Sequence, residues 1–234
     1  MKPEVQITKQ QRGLTLVEMM VALTLGVLVV GGILQIFLNT KLSNNTQTGF
    51  STLYENARIA SYVLTENLMM AGFDNSTGTI AQAITATTDN NNSDSITVTS
   101  LSATDCLGVN TGGAAATNLF FIALSNGVSS LMCTGNSGTQ PLAEGVENMQ
   151  LLYGEDTTND NIADLYRAPA AVTDWTRVVS IRVALLVTSI DEVASTPDVN
   201  QYVLLNAPPI TPATNLLQRR RVFTKTILVR NNMM

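Results

Sequence analysis

The chain has 234 residues, enough for one medium domain with an appendage, and only 13% of them are charged, with 18 acidic against 13 basic side chains. It holds no histidine and two cysteines, Cys106 and Cys133, which excludes a Ser-His-Asp triad, a Cys-His dyad, a histidine-containing zinc site and a four-thiolate zinc site. Residues 1–13 sum to +2 and the remainder to −7, an acidic body that weighs against nucleic acid as a partner.

The first element is apolar. Leu14–Leu38 spans 25 residues with a single charge, Glu18. As a helix it would cover roughly 37 Å, enough for the ~30 Å hydrocarbon core of a bilayer. Lys2, Lys9 and Arg12 precede it, which predicts a cytoplasmic N-terminus and an exported body. A secretory signal would be shorter and would end in a small-residue cleavage site; here a glycine, Gly13, comes before the apolar run. A carboxylate at the centre of a membrane helix costs ~2.5–3.5 kcal/mol, and less near the helix N-terminus, where the headgroups and the positive end of the dipole are close.

The periodicity predicts that the helix continues. In 53–73, Leu53, Ala57, Ala60, Leu64, Leu68 and Ala71 recur at helical spacing, with Gly72 as a C-cap. Residues 39–49 and the Gly31-Gly32 pair are the weak spots, where the helix would fray or bend. Residues 74–94 are polar and turn-rich and read as a surface loop. Strands are expected over 95–101, 118–124, 128–134, 146–154, 177–189 and 220–230, with Ser125-Asn126-Gly127 as a hairpin turn. The last strand would put Val222, Thr224 and Thr226 on one face and Phe223, Lys225 and Ile227 on the other. The fold class is therefore α+β, one long N-terminal helix followed by an antiparallel β-rich head.

Several residues are candidates for chemistry. In an exported chain Cys106 and Cys133 read as one disulfide, against two free buried thiols as the alternative; the bond would stabilise the head by roughly 3–4 kcal/mol. Asp156, Thr158, Asp160, the Ile162 carbonyl and Asp164 stand at alternate positions, a spacing that resembles the first nine places of a calcium loop. Thr158 replaces a carboxylate there, and Arg167 stands where such loops carry glutamate, so a solvated acidic hairpin loop is the other reading. Arg219-Arg220-Arg221 lacks interleaved aromatics and reads as a salt-bridging or solvated strand edge before it reads as a DNA contact. Met69-Met70 and Trp175 read as packing. No catalytic constellation, no P-loop and no required cofactor emerge, so the chain does not read as an enzyme.

The stretch "RGLTLVEMMVAL" (12–23) resembles a class III (type IV) prepilin signal. The resemblance implies cleavage by prepilin peptidase between Gly13 and Leu14, N-methylation of the new Leu14 amine, and pairing of Glu18 with the amine of a neighbouring subunit. Together, "ARIASYVLTENLMMAGF", "EGVENMQLLYGEDT", "DWTRVVSIRVALLVTS" and "RRRVFTKTILVRN" resemble the PilW family of minor type IV pilins. That resemblance implies a pilin-like layout: a leader at 1–13, a transmembrane and assembly helix at 14–38, an amphipathic continuation at 39–72 and a β-rich head at 73–234. It further implies a single pass through the bacterial inner membrane with the head in the periplasm, then a place in the pilus. The partners implied are prepilin peptidase, inner-membrane lipid, other minor pilins and the major pilin, in a complex that primes assembly at the tip. A J-type minor pseudopilin of a type II secretion system has the same layout, and an adhesin or DNA-binding pilin is a reading of a different class.

Overall fold

The computed structural model of the chain describes residues 13, 15–74, 83–88 and 93–232. Among the described residues one α-helix, α1 (Leu16–Met69), is followed by nine strands. Over 39–49 and at Gly31-Gly32 α1 is unbroken, which corrects the expectation of fraying there. No proline interrupts the segment, and the helix tolerates hydroxyls bonded one turn back, Thr40 Oγ1 donating to Ile36 O and Thr52 Oγ1 to Thr48 O. The chain divides within this helix into two compact units, Met1–Asn45 and Thr46–Met234.

In the first unit every described residue of α1 from Leu16 to Leu38 is exposed. The second unit uses the expected stripe: Leu53, Ala57, Ala60, Leu64, Leu68 and the following Ala71 are all buried. Gly49 lets the Val193 side chain approach, since a Cβ there would lie 2.7 Å from Val193 Cγ1, and Thr46 Oγ1 donates to Val193 O. After the helix Gly72 takes φ +77°, the left-handed conformation, and its N–H goes to Thr99 O. Asn231 Nδ2 donates to the Met69 and Ala71 carbonyls, which closes the helix end from the far terminus of the chain.

Strands β1 (Ile84–Thr88), β2 (Asp94–Ser100), β3 (Ala116–Ser125), β4 (Val128–Gly135) and β5 (Gly138–Glu144) form one antiparallel sheet in that order. The surface loop expected at 74–94 is thus corrected: Ile84–Thr88 pairs with β2, and Ser93 and Asp94 are buried. The parts of that segment at 75–82 and 89–92 lie outside the described residues. Asn126 (φ 50°) and Gly127 (φ 81°) make the two-residue turn between β3 and β4, both in the conformation a type I′ turn needs.

The second sheet has the order β7-β6-β8-β9, with β6 at Val146–Glu155, β7 at Leu165–Arg167, β8 at Val178–Thr188 and β9 at Arg220–Leu228. One buried cluster joins the α1 stripe to Ile96, Val98, Phe120 and Leu131 of the first sheet and to Met149, Tyr153, Ile181, Leu185 and Ile227 of the second. On β9, Phe223 and Ile227 belong to this cluster, and Lys225 Nζ donates to Thr65 Oγ1 of α1. Val222 packs instead on the opposite face of the sheet, with Ala184, Leu186 and Leu204.

Candidate assembly interface

Gly13 is exposed, and Leu14, the residue expected to be methylated, lies outside the described residues, as do residues 1–12. Thr15 caps α1: its carbonyl accepts from Met19 N and its hydroxyl from Glu18 N at 3.3 Å. Glu18 is therefore the third residue of the helix, and Thr15-Leu16-Val17-Glu18 has the T-x-x-E pattern of a capping box. That pattern is visible in the sequence, and it is the signal that could have picked out Thr15. Beyond it, the side chains of Leu16–Leu38 are exposed. Thr24 Oγ1 donates to Val21 O, so the hydroxyl inside the apolar run is satisfied by its own helix, as a lipid-facing position requires. By length and composition this helix suffices to cross a bilayer.

In the head, Cys106 and Cys133 form a disulfide. It ties the segment before β3 to β4. Beside it the Asp105 carboxylate accepts from the Leu107, Val109 and Asn136 amides. Burial would raise its pKa, but these amides and Ser137 outweigh burial and hold it below the usual carboxylate range.

The acidic loop between β6 and β7 turns its carboxylates on itself. Asp156 accepts the N–H groups of Thr158, Asn159, Asp160 and Asn161. Asp160 Oδ1 accepts from Ile162 N, and Asp164 Oδ2 accepts from the amide and hydroxyl of Thr157. Asn159 (φ 62°) and Asn161 (φ 64°) supply the left-handed turns. For Asp156 burial pulls the pKa up, and the four amides outweigh it and hold it low; for Asp164 the Thr157 hydroxyl and amide do so. Among the described residues no three Asp, Glu, Cys or His side chains come together to hold a metal ion. Asp156, Thr158, Asp160, Ile162 and Asp164 are neighbours in one loop, whose carboxylates accept loop amides in this structure.

The Arg219–Arg221 run splits. Arg220 is buried and takes Glu147 bidentately, Nε to Oε2 at 2.7 Å and Nη2 to Oε1 at 2.9 Å, with Asp198 Oδ2 at 3.5 Å from Nη1. Asp198 also accepts from the Tyr202 hydroxyl and from Asn200. Burial pushes Asp198 up, and Tyr202, Asn200 and Arg220 together hold its carboxyl below the usual range. Arg221 is exposed, 5.9 Å from the Phe50 ring centre. Trp175 packs edge-on against Tyr153, with ring centres 4.8 Å apart.

Two family models match parts of the chain. The family model for PilW, the type IV pilus-assembly protein W, matches residues 119–231, and the prokaryotic N-terminal methylation motif matches residues 8–34. The motif implies processing by prepilin peptidase and assembly with other pilins. A similar solved structure is the type IV-like pilin TTHA1219 from Thermus thermophilus, 14% identical, with a TM-score of 0.45 over 78% of this chain and 98% of that one. No curated protein matches the chain.

Proposed function

The chain belongs to the PilW family of minor type IV pilins, and we propose that it joins a minor-pilin complex that primes pilus assembly and sits at the pilus tip. One observation carries this reading. The helix is continuous and capped, and over Leu16–Leu38 it exposes every described side chain. Such a surface is stable only in lipid or against other apolar helices. The chain passes once through the inner membrane, head outward, and prepilin peptidase cuts it after Gly13. The helix then leaves lipid and packs against the helices of other minor pilins and of the major pilin.

Glu18 sits in the first turn, where the helix dipole favours a carboxylate. Its partner is the methylated Leu14 amine of a neighbour, which exists only after the cut and sets the register of packing. The chain is a structural subunit and the substrate of the peptidase; it catalyses nothing itself. Two variants test the reading. Gly13→Ala is expected to stay at precursor mass in the membrane. Glu18→Ala is expected to be cut normally yet to be depleted from sheared pili. Normal pili from cells carrying either variant would overturn the proposal.

A further inference from the structure

Charge is segregated along the chain. Residues 14–198 sum to −12, whereas 199–234 hold five cations, Arg219, Arg220, Arg221, Lys225 and Arg230, and no acid. Arg220 is neutralised by Glu147 and Asp198. Arg221, Lys225 and Arg230 are exposed and form no salt bridge among the described residues. All three lie on or directly after β9, which is an outer strand of its sheet.

That edge differs from the others described. β5 carries Pro141 and a register shift against β4. The edge of β6 that β7 leaves uncovered is sealed by side chains, with Ser93 on Met149 N and Asp94 on Leu151 N. β9 runs nine residues in unbroken register with β8, without proline, and such an edge offers unpaired backbone groups to an incoming chain. Beside it lies a groove of about 180 Å³ between α1 and β9, with an apolar floor of Leu64, Val183, Phe223 and Ile227 and Lys225 at its side.

The opposite edge of the same sheet carries the complement. The β6–β7 loop exposes Ile162 between Asp160 and Asp164. An aliphatic side chain flanked by acids matches an apolar groove with Lys225 at its side. Two β9 edges cannot pair with each other, because their cations would face one another, so the charge selects an unlike edge.

We propose that the β9 edge is a docking surface for the acidic loop of a second copy of this chain, with Ile162 seated in the groove and Asp160 against Lys225. The contact is head-to-tail. It rests on the reading of the chain as a pilin, for which it supplies a lateral contact between heads.

The test uses the full-length mature chain in detergent micelles. Self-association by sedimentation is expected at low salt and to weaken with rising salt. Ile162→Ala and Lys225→Glu are each expected to weaken it about tenfold. Mixing the Lys225→Glu chain with an Asp160→Lys chain is expected to restore it. A chain with Ile162→Cys should form a disulfide with one carrying Ser61→Cys, and not with one carrying Thr87→Cys. Association that ignores salt and all these changes overturns the proposal. So does an edge whose reversal abolishes binding to duplex DNA or phosphatidylglycerol vesicles while self-association is unchanged. Absence of self-association in the unsubstituted chain, when that chain is cut after Gly13 and found in pili, overturns the contact alone; an unsubstituted chain left uncut overturns the pilin reading beneath it.

Discussion

Leu34 and Leu64 sit on the same helix and meet opposite fates: Leu34 is 56% exposed and Leu64 is 0% exposed. Neither residue type nor helix propensity separates them. Between Leu16 and Leu38 the apolar residues go all the way round, whereas from Gly49 onward they fall on one stripe with Glu55, Arg58 and Glu66 beside it. A folded head covers a stripe; it cannot wrap a whole cylinder. The head therefore serves as solvent for the second half of the helix, and the first half must find its solvent in lipid or in other helices. One continuous element belongs to two environments, and the period of its sequence marks where the change occurs.

The largest effects should be confined to the head. Arg220→Ala would leave the Asp198 carboxylate, 1% exposed as a side chain, without its cation. Stranding a buried charge costs about 3–5 kcal/mol, so denaturant unfolding of the detergent-solubilised protein should shift by that amount. A sharper comparison uses the two leucines. Leu64→Ala should cost about 2–5 kcal/mol, whereas Leu34→Ala should leave head stability within about 0.5 kcal/mol. Equal losses from both would mean that the helix is not divided between environments in the way described.

Much of this division is legible in the sequence, because it is carried by local period. The stripe from Leu53 to Ala71, the apolar run, Gly72 and the Asn126-Gly127 turn all depend on residues within a few positions of each other. What escaped was of two kinds. The strand Ile84–Thr88 is short and embedded in Asn, Ser, Thr and Gly, so its alternation is lost among turn residues; β5, with Gly138 and Pro141, and the three-residue β7 do not alternate at all. Long-range pairing is the other kind. Nothing near Arg220 points to Glu147, 73 residues away, or to Asn231 as the cap of a helix that ends at Met69. At the assembly end, Gly13 and Glu18 stand out by type and spacing. Thr15 needed the capping pattern to be read across a segment whose apolar character draws attention first.

Acid should also separate the two halves. Asp105, Glu155 and Asp198 each have burial raising the pKa and hydrogen bonds or a cation outweighing it, so all three titrate below their ordinary values. A carboxylate with a lowered folded-state pKa contributes stability above its unfolded value, and that contribution is lost as pH falls through the folded value. Head stability should therefore hold steady at neutral pH and fall below about pH 4, the ordinary carboxylate value, while the helical signal of the apolar half persists in detergent. Asp198→Asn should flatten the acid limb of the melting temperature plotted against pH, at the cost of a lower plateau.

The smallest effect expected is at the acidic loop, and it bears on whether the head needs an ion where the helix needs lipid. A calcium ion would have to share carboxylate oxygens that already accept from four amides at Asp156 and from Thr157 at Asp164, and so would gain less than at free carboxylates. Titration calorimetry with millimolar calcium should therefore release no heat, and the melting temperature should not move. Asp156→Ala should lower the melting temperature slightly without calcium, because it strands those amides at a loop where water reaches some of them. Asp160→Ala, which removes one acceptor for Ile162 N on an exposed turn, should leave the melting temperature unchanged. A calcium-dependent rise abolished by both substitutions would show that the carboxylates are held for an ion after all, and the loop would then be a ligand site and not a self-capped turn.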